Sequence, residues 1–187
     1  MTVVSRRDYF DTAMGVLGEH GFAGLTIAAV CSRLGVTSGS FYHHFGSFER
    51  FVDALLADWA SQQTAQIIAI VQGADVDPVR RFELMLEISE VVPRRAERAI
   101  RSWANNNAAV AVVQRRVDQA RLAYVEDVVG ALGLPGSSPA RLAMLILAAF
   151  VGLESLDDLV DPTTYTGVAE ELRGLVLGAL ADERGEA

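Results

Sequence analysis

Thr26-Ile-Ala-Ala-Val-Cys-Ser-Arg-Leu-Gly-Val-Thr-Ser-Gly-Ser-Phe-Tyr-His-His-Phe45 is the stretch that decides the fold. Thr26 is a hydroxyl cap for a helix in which Ile27, Val30, Cys31 and Leu34 recur at spacings of three and four, so one face is apolar. Gly35 supplies the left-handed residue that ends it. Thr37 caps a second short helix, with Phe41 and Phe45 four apart on its inner side. Ser38, Gly39, Ser40, Tyr42, His43 and His44 are left mostly outward. Two short helices joined at Gly35-Val36 form the pattern of a helix-turn-helix.

A short helix with a wet, hydrogen-bonding outer face suits the major groove, whose base edges offer donors, acceptors and thymine methyls. Ser38, Ser40 and His43 stand where bases are read. Thr26 and Thr37 sit at helix N-termini, where free N–H groups attract a phosphate, and the Tyr42 hydroxyl makes a third backbone contact. Gly39 permits close approach to the bases.

Gly21-Phe22, Leu25-Thr26, Leu34-Gly35-Val36-Thr37, Ser40-Phe41-Tyr42-His43-His44-Phe45 and Ser47 together resemble the DNA-binding domain of the tetracycline-repressor (TetR) family of bacterial transcription regulators. The resemblance covers about the first 55 residues. It implies an all-helical homodimer, with a helix-turn-helix at one end and a ligand-binding, dimerising domain at the other. The corresponding organisation here is a DNA-binding domain over 1–54 and an effector and dimerisation domain over 55–187. The family usually carries a lysine just after the recognition helix, where this chain has Phe48. Backbone N–H groups near Ser47 and Phe48, with Arg50, Arg6 and Arg7, are the substitutes for that phosphate contact.

The net charge of -8 argues against a nucleic-acid partner until its distribution is considered. Residues 1–54 hold four arginines against five acids, whereas residues 122–187 hold three against eleven. A near-neutral reading head must therefore rely on hydrogen bonds and fit. All sixteen basic residues are arginine, and nine of them fall between 80 and 121. Adjacent pairs such as Arg80-Arg81 point about 100° apart, so a solvated face ion-paired to Glu83, Glu87, Glu90 and Glu97 is a better reading than a convergent anion site.

With 187 residues, 51% of them hydrophobic, the chain is long enough for a substantial helical core. No uncharged apolar run is long enough to span a bilayer, and charged Arg6, Arg7 and Asp8 stand where a leader would be greasy, so a cytoplasmic protein is expected. The single cysteine, Cys31, reads as a small core residue.

The pattern predicts nine helices and no strand. They begin with Asp8–Glu19, broken by glycines from Gly18 to Gly24, and the two helices of the motif. A helix of about 25 residues follows from Ser47 to about Val71. Then come Asp77 to Val91, Pro93 to Trp103, Ala108 to Leu132, Pro139 to about Leu159 and Thr164 to about Leu180. The last two are unusually apolar. In the TetR family the corresponding pair forms a four-helix interface with its twin, which implies Leu145, Ala148, Ala149, Gly152, Leu172, Leu175, Val176 and Ala179 as dimer contacts.

Phe82, Met85, Trp103, Tyr124, Phe150 and Met144, with polar Asn106, Arg121 and Glu154, are candidates to line a pocket for a small, largely apolar effector. The same stripes also describe ordinary core, and Glu154 reads better as an interface ion pair than as a ligand contact. Adjacent His43 and His44 cannot chelate one metal, and no phosphate loop, dinucleotide fingerprint or nucleophile elbow occurs, so neither an enzyme nor a metal or other cofactor is expected. The resemblance to the TetR family implies a ligand-responsive, DNA-binding repressor, released from double-stranded operator by a small molecule that swings the Ser47 helix. The alternative is a ligand-binding or scaffold protein of the same fold whose DNA binding is weak or lost.

Overall fold

A computed structural model describes residues 4–91, 93–156 and 161–185. Its described residues form ten α-helices and no strand: α1 Arg6–Gly24, α2 Ile27–Leu34, α3 Ser38–Phe45, α4 Phe48–Ala60, α5 Gln66–Gly73, α6 Pro78–Val91, α7 Arg94–Ala104, α8 Ala108–Ala131, α9 Pro139–Ser155 and α10 Pro162–Gly185. The all-α expectation holds. The tenth helix arises because the long helix expected from Ser47 is two helices, separated by a π-helical turn at Ser61–Ala65. A π turn inserts one residue without glycine or proline, so the polar run Ser61-Gln62-Gln63-Thr64 carries no breaker that sequence reading detects.

Contacts divide the chain into two units, Met1–Gln62 with Pro93–Arg116, and Gln63–Val92 with Val117–Ala187. The first therefore extends beyond residue 54 to the end of α4 and takes in α7.

In the first unit, α1 opens with a capping box. The Ser5 hydroxyl accepts from the Asp8 N–H, and the Asp8 carboxylate accepts from the Ser5 N–H at 2.7 Å. The break expected among the glycines falls at Gly21, whose non-helical φ 64°, ψ -171° kinks α1 and leaves a short helical piece running on to Gly24. Gly24 is required by space, since a Cβ there would stand 2.3 Å from the His20 Cβ. Helix α7 lies along α1, with Trp103 stacked on Phe22 at 3.9 Å. Trp59 of α4 donates to the buried Glu97 carboxylate of α7 at 2.6 Å.

In the second unit, Val71, Phe82, Leu86, Val125, Val128, Val129, Ala143, Ile146 and Val176 belong to one continuous core. Tyr165 of α10 donates to the Ser89 carbonyl of α6 at 3.0 Å. Arg173 reaches Glu83 at 2.7 Å and Arg80 reaches Glu87 at 2.6 Å, part of the ion-paired face expected of the arginines. The Glu90 side chain and the expected end of the ninth helix near Leu159 lie outside the described residues. Among the described residues, no helix is long and apolar enough to cross a membrane.

Candidate functional site

Helices α2 and α3 fold from local signals. The Thr26 hydroxyl accepts from the Ala29 N–H at 3.1 Å, and the Thr37 hydroxyl from the Ser40 N–H at 3.3 Å. Between them Gly35 adopts φ 67°, ψ 32°, the left-handed C-cap. Cys31 is buried and its thiol points at the Thr37 carbonyl; burial pushes its pKa up.

An aromatic cluster seats α3. Phe41 and Phe45 are buried, with ring centroids 5.9 and 5.3 Å from Tyr9 of α1 and 5.0 and 4.8 Å from Phe51 of α4. With the inner face fixed at 41 and 45, the 100° step per residue sends 39 and 43 to the opposite side. Ser38, Gly39, Tyr42 and His43 are exposed, Tyr42 by 51%. They form one outward ridge.

Two residues expected on that ridge lie on its flanks. Ser40 is half-buried and its hydroxyl accepts from the Tyr9 hydroxyl at 2.9 Å, so it is tied to α1. His44 is also half-buried, its ring 5.2 Å from that of Tyr9.

The cations near the ridge are mostly engaged. Arg6 donates to the His44 carbonyl at 3.1 Å and lies 4.7 Å over the Phe45 ring, where it neutralises the C-terminal end of α3. Arg7 pairs with Asp11 and Asp58, and Arg33 with Glu19, whose carboxyl is held below its usual range by that hydrogen bond. Arg6 and Arg7 thus each already hold a contact within the first unit. Arg50, exposed on the first turn of α4 beside Gly46, has no acidic partner among the described residues.

At the start of α4, the Ser47 hydroxyl accepts from the Arg50 N–H at 3.2 Å. The Glu49 carboxyl is held below its usual range by its own backbone N–H, then by Ser47. Phe48 is half-buried, its ring 6.2 Å from Phe51. Where the TetR lysine would stand, this chain extends its aromatic cluster.

The second unit contains a cavity of about 120 Å³. Ile67 and Ile68 of α5, Met85, Ile88 and Ser89 of α6, Arg121, Tyr124 and Val125 of α8, Ile146, Leu147, Phe150, Val151 and Glu154 of α9 and Tyr165 of α10 form its wall. Of the pocket residues expected from sequence, Met85, Arg121, Tyr124, Phe150 and Glu154 are brought together there. Phe82 is not in the wall but fully buried in the core beside it, and Met144 is outside the wall and half exposed. Trp103 and Asn106 belong to the first unit, in a groove between α1 and α7. Helix α7 carries them there because its apolar stripe is spent on α1.

The isoleucines of α5 and Tyr165 were not anticipated. Their only sequence signal is helical spacing, which ordinary core shares. Tyr124 is 8% exposed, its hydroxyl has no hydrogen-bond partner among the described residues, and burial pushes its pKa up to about 12. Among the described residues, no group of three or more His, Cys, Asp or Glu is placed to hold a metal ion.

The helices expected at the dimer interface carry an uncovered apolar face. Leu145 is 67% and Leu175 70% exposed, with Ala148 and Ala179 exposed beside them and Ala149, Gly152 and Leu172 half-buried. Val176 differs, being 5% exposed within its own unit's core. It follows Leu175 by 100° and so faces inward.

Residues 10–55 match the family described as bacterial regulatory proteins, tetR family. The chain is 28% identical over 130 residues to the HTH-type transcriptional repressor KstR2 of Mycobacterium tuberculosis, covering 67% of this chain and 60% of that protein. It is 31% identical over 78 residues to the HTH-type transcriptional repressor DhaR of a Mycobacterium species, covering 42% and 39%. The match thus spans about three fifths of the first relative and two fifths of the second. A TetR transcriptional regulator of Chloroflexus aurantiacus superposes with a TM-score of 0.75 at 19% identity, covering 92% of this chain and 93% of that one. The structure of KstR2 superposes at 0.69 and 19% identity, covering 95% of each.

Proposed function

The chain belongs to the tetR family of bacterial regulatory proteins, and we propose that it is a homodimeric transcriptional repressor whose grip on double-stranded operator DNA is released by a small, largely apolar molecule. The observation that carries this reading is the outward ridge of α3, with Ser38, Gly39, Tyr42 and His43 exposed on a helix whose other side is locked by Phe41 and Phe45. A helix so seated inserts its N-terminal turns into a major groove without losing its own core.

Thr26, Thr37 and Ser47 cap three helix N-termini that offer N–H groups to phosphates. Arg50 takes the role of the absent lysine. Two such heads, joined through the uncovered faces of α9 and α10, read half-sites about one helical turn apart. With DNA as its partner the protein works in the cytoplasm.

Release requires the effector to bind the DNA-free state more tightly; a tenfold preference corresponds to about 1.4 kcal/mol of coupling. The repressor direction follows the names of KstR2 and DhaR, and the cavity of the second unit is the effector site.

A DNase footprint of the protein on the DNA flanking its own gene tests the reading. A protected, two-fold symmetric site of one or two helical turns supports it. Phe48 and the engaged arginines favour the other reading, a ligand-binding protein with weak or lost DNA binding, and the absence of any protected site would establish that reading instead.

A further inference from the structure

We propose that Tyr9, which lies outside the helix-turn-helix, is a positioning residue for DNA binding: its hydroxyl makes the Ser40 hydroxyl a donor aimed at a phosphate oxygen on one wall of the groove. Tyr9 is 0% exposed, so its hydroxyl cannot turn to water. It donates instead to Ser40 Oγ at 2.9 Å, and its ring lies 5.9 Å from Phe41, 5.2 Å from His44 and 5.3 Å from Phe45, all on α3. The phenol is thereby held to one partner.

A serine hydroxyl has one proton and two lone pairs. With the Tyr9 proton on one lone pair, the Ser40 proton must point away from Tyr9. A helical serine often spends that proton on a carbonyl three or four residues back. Here the Thr37 carbonyl already takes the Ser40 and Phe41 N–H groups and the Cys31 thiol. The Ser40 hydroxyl makes no second hydrogen bond among the described residues.

Ser40 stands about 100° from Phe41 around α3, on the flank of the exposed ridge, and is half-buried. When Ser38, Gly39, Tyr42 and His43 face base edges, a flank faces the sugar-phosphate wall of the groove. A phosphate oxygen there is an ionised acceptor, which makes the stronger kind of hydrogen bond. Accepting from Tyr9 also polarises the Ser40 hydroxyl and strengthens it as a donor. Arg6, Arg7 and Arg33 each already hold a contact, so a neutral relay of two hydroxyls supplies grip that those cations do not.

This inference deepens the operator-binding reading proposed above and rests on it. Wild type, Tyr9→Phe, Ser40→Ala and the double variant are titrated by fluorescence anisotropy with the DNA flanking the protein's own gene, at one salt concentration. Tyr9→Phe removes one oxygen and keeps the ring against α3, and urea denaturation without DNA checks that each variant is folded.

Ser40→Ala is expected to weaken binding about five- to tenfold and Tyr9→Phe about three- to fivefold, while the double variant binds like Ser40→Ala alone. Neutral methylphosphonates placed at successive phosphates locate the partner. At one phosphate of each half-site, wild type loses affinity and Ser40→Ala loses none. A Tyr9 that merely held α3 in place would add its loss to that of Ser40→Ala, so losses that multiply in the double variant overturn the assignment. Unchanged affinity in Tyr9→Phe overturns it too, as does a Ser40 effect that vanishes when a base pair is changed and at no neutralised phosphate, which makes Ser40 a base reader. If wild type does not prefer the flanking DNA to a scrambled duplex, the operator-binding reading falls and this assignment with it. If wild type does prefer it, any of the other three results removes this assignment alone.

Discussion

Ser38, Gly39, Tyr42 and His43 lie within two turns of α3, whereas Ile67, Met85, Tyr124, Ile146 and Tyr165 reach the cavity from five different helices. In the first region each outward residue is positioned by an inward neighbour, Phe41 or Phe45, no more than three places away. In the second, no residue's role follows from its own neighbours, because the wall exists only once α5, α6, α8, α9 and α10 have packed. A recognition surface on one helix is a local property of sequence; a cavity is a property of the assembled unit.

Phe41→Ala should break the contrast at its strongest point. It empties the centre of the aromatic cluster and should cost about 3–5 kcal/mol in chemical denaturation, with DNA binding lost as the head unfolds. An equal loss of DNA binding with no loss of stability would mean that Phe41 does not seat the ridge. Replacing both Leu145 and Leu175 by Asp places charges on the uncovered apolar face. Dimer dissociation, followed by analytical ultracentrifugation, should strengthen by about a hundredfold or more. If the double variant associates as wild type does, that face is not the interface.

Legibility in the sequence followed the same line. Thr26, Thr37, Gly35 and the 41/45 pair stood in the sequence as caps, turn and core, and the structure places each where its chemistry requires. Ser40 and His44 did not fit because Tyr9, about thirty residues away, reaches across to them. Arg6 at the end of α3 was unreadable for the same reason. In the second unit, spacing separated inward from outward faces, as Val176 beside Leu175 illustrates, but not wall from core. Phe82 and Met85 share one helical stripe and one core, and only packing brings Met85 to the cavity wall as well.

Smaller effects sharpen the account of the reading head. Arg50→Ala should lower the slope of log affinity against log salt by about one and weaken binding uniformly across DNA sequences. An unchanged slope would remove Arg50 from the phosphate contacts. Glu49→Gln takes away an anion that competes for the N-terminus of α4, and operator affinity should rise by about two- to fivefold in a gel shift. A fall in affinity would give the Glu49 carboxylate a supporting role instead.

The central claim is that the exposed ridge of α3 reads DNA, and fluorescence anisotropy on the DNA flanking the protein's own gene tests it most directly. Wild type should prefer that DNA to a scrambled duplex, and Tyr42→Ala and His43→Ala should each weaken it by about tenfold while the fold is retained. Equal binding by wild type and both variants, without preference between the two duplexes, would contradict the claim.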